Sequence, residues 1–125
     1  MAQYTLLKLD YLELISGGDA SFQADIFDSF IRHYPQMLTA IEDAFEANNA
    51  VQLSHATHKA KSPTKFLGMD SLAAKLDQLE EDCRATGLVP PYTKGLIDEI
   101  KVVSVTALQE VTLAKAALLK EKNRF

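Results

Sequence analysis

The sequence predicts an all-α fold, an antiparallel up-down four-helix bundle with an additional short N-terminal helix. Three observations carry that expectation. Apolar residues recur at helical spacing through most of the 125 residues. The breaks between periodic stretches are short, which favours antiparallel neighbours. Alternating segments that would read as strands are weak throughout.

Taken in order, Tyr4 to Ile15 is short and apolar, and Gly17-Gly18 ends it as a helix C-terminus would end. Asp19 and Ser21 offer N-cap oxygens for the second helix. There Phe22, Ile26, Phe30, Met37, Ile41 and Phe45 form a wide apolar stripe, with Phe27, Ile31, Tyr34 and Leu38 beside them. Pro35 lies inside this helix and predicts a bend. Asn48-Asn49 caps a third helix that runs to about Gly68. Asp70 is the expected cap of a fourth, whose core row is Leu72, Leu76, Leu79 and Cys83. Gly87 to Pro91 is the clearest loop. A last helix follows from about Tyr92 to Lys120, with Leu96, Ile100, Val103, Ala107, Val111, Ala114 and Leu118 as its stripe. The β-branched run at Val102, Val103 and Val105 is outweighed by the helical period on either side.

Bulk properties narrow the function classes. Residues 1–125 are one domain's worth of chain, with 47% hydrophobic and 24% charged residues, a globular balance. A net charge of -4 argues against a nucleic-acid partner, since a phosphate backbone attracts a basic face. No apolar run reads as the roughly 18 residues of a membrane span, and the start lacks the plan of a signal peptide. A single cysteine, Cys83, cannot form an internal disulfide, which fits a reducing cytoplasm.

The third helix carries the chemistry. On a wheel of about 100° per residue, Leu53, Ala56, Ala60 and Leu67 cluster on one side, with Thr57 and Thr64 at the margin. His58 falls roughly 160° away and projects into solvent; His55, Ser62 and Lys65 share that outward half and Lys61 lies at its edge. An imidazole of ordinary pKa near 6.5 is mostly neutral at pH 7 and has a nucleophilic lone pair for an activated phosphoryl group. Lys61, one turn on, could offset the added negative charge. Helical side chains lean toward the N-terminus, so the residue four positions on tilts over the ring; Ser62 is small there and leaves the ring open. A lone surface histidine with a nearby lysine is usually a solvated face, so these residues need a more specific pattern behind them.

The segment Thr57-His58-Lys59-Ala60-Lys61-Ser62-Pro63-Thr64-Lys65-Phe66-Leu67-Gly68 supplies one. It resembles the signature of histidine-phosphotransfer (HPt) domains, in which the phospho-accepting His is followed by Lys at the third position, a small residue at the fourth and Gly at the tenth. His58, Lys61, Ser62 and Gly68 fall on those positions. Leu12 to Asp19 is similar to the family's short first helix and glycine turn, Phe30 to Pro35 to its second helix, and Leu72 to Glu81 to the helix after the signature. The resemblance implies a single HPt domain that takes a phosphoryl group from a receiver aspartate onto His58 and passes it to another receiver. Lys61 would help electrostatically, Ser62 would give access, and His55, Lys65 and Gly68 would belong to the docking face. The implied partners are response-regulator receiver domains or a hybrid sensor histidine kinase, with magnesium held by the receiver and no cofactor on this chain. It further implies a cytoplasmic, monomeric phosphocarrier without autonomous catalytic activity. The chain departs from the pattern at Ser62, where Gly is commonest, and at Pro63. Pro63 cannot donate to the Lys59 carbonyl and predicts a kink just beyond the site, which leaves the phase of Phe66 and Met69 open.

Other chemistries fare worse. His55 and His58 could touch one metal ion, but no third or fourth ligand is evident, and His33 lies on another helix. Cys83 sits on a core row, where thiols are inert. Glu80, Glu81 and Asp82 read as a solvated helix face. The rival of a different class is a helical adaptor that binds a receiver or kinase without transferring phosphate.

Overall fold

The computed structural model describes residues 4–122, and among these it contains five helices and no strand. They are α1 (Asp10–Ser16), α2 (Ala20–Glu46), α3 (Ala50–Phe66), α4 (Asp70–Thr86) and α5 (Thr93–Lys122). Helices α2 to α5 form the bundle, each packing chiefly on two neighbours in the order α2, α3, α4, α5 and back to α2; α1 lies against α2. Cross-helix pairs show that neighbours run antiparallel. On α3 and α4, His58 meets Glu80 and Lys61 meets Asp77; on α2 and α5, Asp28 meets Lys115, Tyr34 meets Ser104 and Glu42 meets Lys101.

Local chemistry sets most helix ends. The Asp19 carboxylate accepts from the Phe22 amide at 3.1 Å and the Asn49 side chain from the Gln52 amide at 3.0 Å, each cap contributing about 1 kcal/mol. Gly17 and Gly87 close α1 and α4 in left-handed conformations. The expected cap at Asp70 is a correction. Met69 occupies the cap position without a side-chain bond, and Asp70 is the first helical residue, where its charge still favours the positive end of the helix dipole.

The first helix is also corrected: residues 4–9 are not helical, and α1 starts only at Asp10. A distant partner overrides the local preference. The Glu110 carboxylate on α5 accepts the amides of Thr5, Leu6 and Leu7 and the Thr5 hydroxyl, all between 2.7 and 2.9 Å. The same strap then crosses to the end of α3, where the Lys8 amide donates to the Leu67 carbonyl at 3.1 Å. Both internal prolines are accommodated. Pro35 lies within an unbroken α2 and Pro63 within α3, whose turn continues past it through the Leu67 amide and the Pro63 carbonyl at 3.2 Å.

The core joins Leu6, Leu7 and Leu12 to Phe27, Phe30, Tyr34 and Ile41 of α2, Leu53 and Ala60 of α3, the α4 row and the α5 stripe. The α2 stripe is centred on Phe27, Phe30, Tyr34, Ile41 and Ala44, and Phe22 is exposed at its start. One further expectation changes. The stretch from Thr93 to Glu121 is long and apolar enough to span a membrane by length and composition. In this fold its apolar inner face, from Leu96 through Ala114, closes the bundle with the buried Glu110 in its midst.

Candidate functional site

His58 stands near the middle of α3, and its side chain is 68% exposed. The opposite face of the helix explains why. Leu53, Ala56, Thr57, Ala60 and Thr64 are all buried, so the helix has one register in the bundle and that register turns His58 outward. The Thr57 hydroxyl donates to the Leu53 carbonyl and the Thr64 hydroxyl to the Lys61 carbonyl, which lets two polar residues sit in the core around the site.

The ring is tethered. His58 Nδ1 lies 3.0 Å from Glu80 Oε2 on α4, and that carboxylate is only 7% exposed. Lys61 Nζ lies 2.8 Å from the other Glu80 oxygen and 2.8 Å from Asp77 Oδ1. Burial alone would raise the Glu80 pKa, but the hydrogen bond and charge of Lys61, followed by those of His58, hold it below the usual carboxylate range. An ionised carboxylate can only accept, so Nδ1 carries the proton. That tautomer leaves the lone pair on Nε2, on a side chain that is largely exposed.

One expectation is corrected here. Glu80 is not part of a solvated face; it is buried and joins His58 to Lys61. Its neighbours Glu81 and Arg84 do pair on the surface. The sequence did contain the signal, because Glu80 lies four residues after Leu76 and eight after Leu72, in phase with the α4 core row. Lys61, the cation expected one turn from the ring, is engaged by two carboxylates of α4. Its side chain is 15% exposed and drawn toward α4, and the hydrogen bonds it donates to Asp77 and then to Glu80 raise its pKa. Burying Glu80 requires a cation, and Lys61 is within reach.

Of the remaining predicted residues, His55 lines a groove that includes His58 and Ser62 lines a second one, while Lys65 and Gly68 line neither. Between α3 and α4 runs a groove of about 560 Å³ lined by Val51, His55, His58, Cys83 and Arg84 among others. Between α2 and α3 runs a more apolar one of about 280 Å³ with Phe30, Met37, Ser62, Pro63 and Phe66. Ser62 and Lys65 are both exposed. Met69 is fully buried and is no docking residue. Gly68 has a structural reason to be glycine. Its φ is +68°, and a Cβ there would run into the Lys8 backbone. Among the described residues no three His, Cys, Asp or Glu side chains gather as metal ligands.

No protein-family model matches the sequence, and no curated protein matches it. The fold does match a solved structure, the crystal structure of histidine-containing phosphotransfer protein B from Pseudomonas aeruginosa PAO1. The two are 20% identical and superpose with a TM-score of 0.71 over 98% of this chain and 99% of that one. The chain therefore has the fold of a histidine-phosphotransfer protein, an all-α helical bundle.

Proposed function

We propose that this chain is a phosphorelay intermediate that accepts a phosphoryl group on Nε2 of His58 from a receiver-domain aspartyl phosphate and passes it to another receiver domain. The observation that carries the reading is the exposed imidazole whose inner nitrogen is held by a buried carboxylate, on the helix where the sequence resembles the HPt signature. The shared fold supports it.

In the forward step the Nε2 lone pair attacks phosphorus. The N–P bond forms as the P–O bond to the receiver aspartate breaks, and the carboxylate leaves with the electron pair. The ring becomes a phosphoimidazolium whose Nδ1 proton stays on the Glu80 hydrogen bond. That carboxylate stabilises the developing ring charge as well as its orientation. The reverse sequence donates to the next receiver. Magnesium and the groups that act on the aspartyl phosphate belong to the receiver, and this chain serves as a soluble, cytoplasmic phosphocarrier, monomeric between encounters. Ser62 leaves the ring accessible, and His55 and Lys65 flank the docking face.

Transfer from a panel of labelled phospho-receiver domains, run beside His58→Gln, tests the reading. Acid-labile label on the wild type and none on the variant is the expected result. Binding without transfer from every receiver would make the chain an adaptor, and label persisting on His58→Gln would move the chemistry elsewhere.

A further inference from the structure

Lys61 is shared between two carboxylates of very different standing. Both lie 2.8 Å from its ammonium, but Glu80 is 7% exposed and Asp77 is 62% exposed. A phosphoryl group on His58 would add about two negative charges one helical turn from that ammonium. Lys61 can turn toward it only by loosening one of its partners. Glu80 cannot be abandoned cheaply, because a buried carboxylate without its cation is far more costly than an exposed one. Water replaces Lys61 at Asp77 with little loss. The other charges near this pair do not take over the role. Lys65 and Arg84 act on Asp77 only through space; Arg84 also reaches Glu80, but only at 3.9 Å, from an exposed side chain engaged by Glu81.

We infer that Asp77 is a positioning residue that competes with the phosphoryl group on His58 for the Lys61 ammonium, and so sets how readily the phosphohistidine gives that group up. The inference rests on the phosphorelay reading above and adds a regulator to the same site. With Asp77 in place, Lys61 is partly neutralised and phospho-His58 is a better donor. On donation the N–P bond breaks, a P–O bond forms to the receiver carboxylate, and the ring leaves neutral with its Nδ1 proton. Lys61 then returns fully to Asp77. Removing the Asp77 charge frees the ammonium for the phosphoryl group and removes a nearby anion. Both effects stabilise phospho-His58.

The test is the equilibrium distribution of label between a phosphorylated receiver domain and this protein, measured for the wild type, Asp77→Asn and Asp77→Glu, each also on a Lys61→Ala background. At concentrations where the partners are mostly dissociated, this constant depends on the separated end states and not on docking. Asp77→Asn is expected to shift it toward phospho-His58 by about three- to tenfold, with Asp77→Glu close to wild type. On the Lys61→Ala background the shift should largely vanish. A wild type that accepts label while Asp77→Asn leaves the constant unchanged, or lowers it, overturns the inference. A full shift on the Lys61→Ala background overturns it too, since Asp77 would not then act through Lys61. A wild type that takes no label from any receiver defeats the phosphorelay reading itself.

Discussion

At the scale of single residues, Glu80 holds the site together. Its carboxylate orients His58, fixes which ring nitrogen keeps the lone pair, and anchors Lys61. Glu80→Leu removes all three functions, whereas Glu80→Gln keeps an acceptor for the Nδ1 proton and loses the charge. Single-turnover acceptance should therefore slow by about tenfold or more in Glu80→Leu and by less in Glu80→Gln, as expected for a lost charge-assisted hydrogen bond of about 1.5–3 kcal/mol. Equal rates in all three proteins would show that the tether does not matter to the chemistry. The wheel position of His58, with Ser62 and Lys65 on the same side, was legible because buried leucine and alanine positions on α3 leave one outward face. Glu80 was not, because charge was read as exposure. A carboxylate in phase with Leu72 and Leu76 is a buried acid awaiting a cation, and the cation lies on another helix, which a linear reading does not pair with it.

At the scale of elements, α3 is held at both ends by devices that the chain outside it supplies. Asn49 caps its start, and beyond its end the 67–69 turn reverses through Gly68 against the N-terminal strap. Gly68→Ala would impose a Cβ on a left-handed residue already touching the Lys8 backbone. It should destabilise the fold by about 1–3 kcal/mol, read as a lower denaturant midpoint with an unchanged slope. A midpoint equal to wild type would mean that the strap yields freely. Helix positions were legible where periodicity and caps agree, as at Asp19 and Asn49. The N-terminal segment was misjudged because its amides bond Glu110, about a hundred residues away in sequence, and no local pattern announces such a partner. Neither proline ends its helix. Only one backbone donor is lost at each, and packing of the long helices outweighs that local cost.

At the scale of the whole molecule, two buried carboxylates on different helices couple the fold to pH. Glu80 is pulled below its ordinary pKa by Lys61 and His58 despite burial, and Glu110 likewise, despite burial, by the Leu7 amide, the Thr5 hydroxyl and the Leu6 and Thr5 amides. A carboxyl whose folded pKa is depressed contributes its full stability above the ordinary value of 4.5 and loses it as the pH falls through the lower folded value. Stability to denaturant should thus be flat through neutrality and fall as the medium is acidified below about pH 4.5. Glu110→Gln should flatten that fall, at a cost of about 1–3 kcal/mol at pH 7. An acid limb as steep in Glu110→Gln as in the wild type would place the dependence elsewhere. The bundle itself was legible from short connections and long apolar stripes, since four amphipathic helices in sequence have few other ways to bury those faces. What holds the His58 ring was legible only once α3 and α4 were side by side.

The most direct measurement of the central claim is the site and regiochemistry of the phosphorylated protein, read by 31P and long-range 15N–1H NMR on the product of transfer from a receiver domain. The expected product is one phosphohistidine, at Nε2 of His58, with Nδ1 still protonated. Phosphate on Nδ1 of His58, or on His33, His55 or a carboxylate, would contradict it.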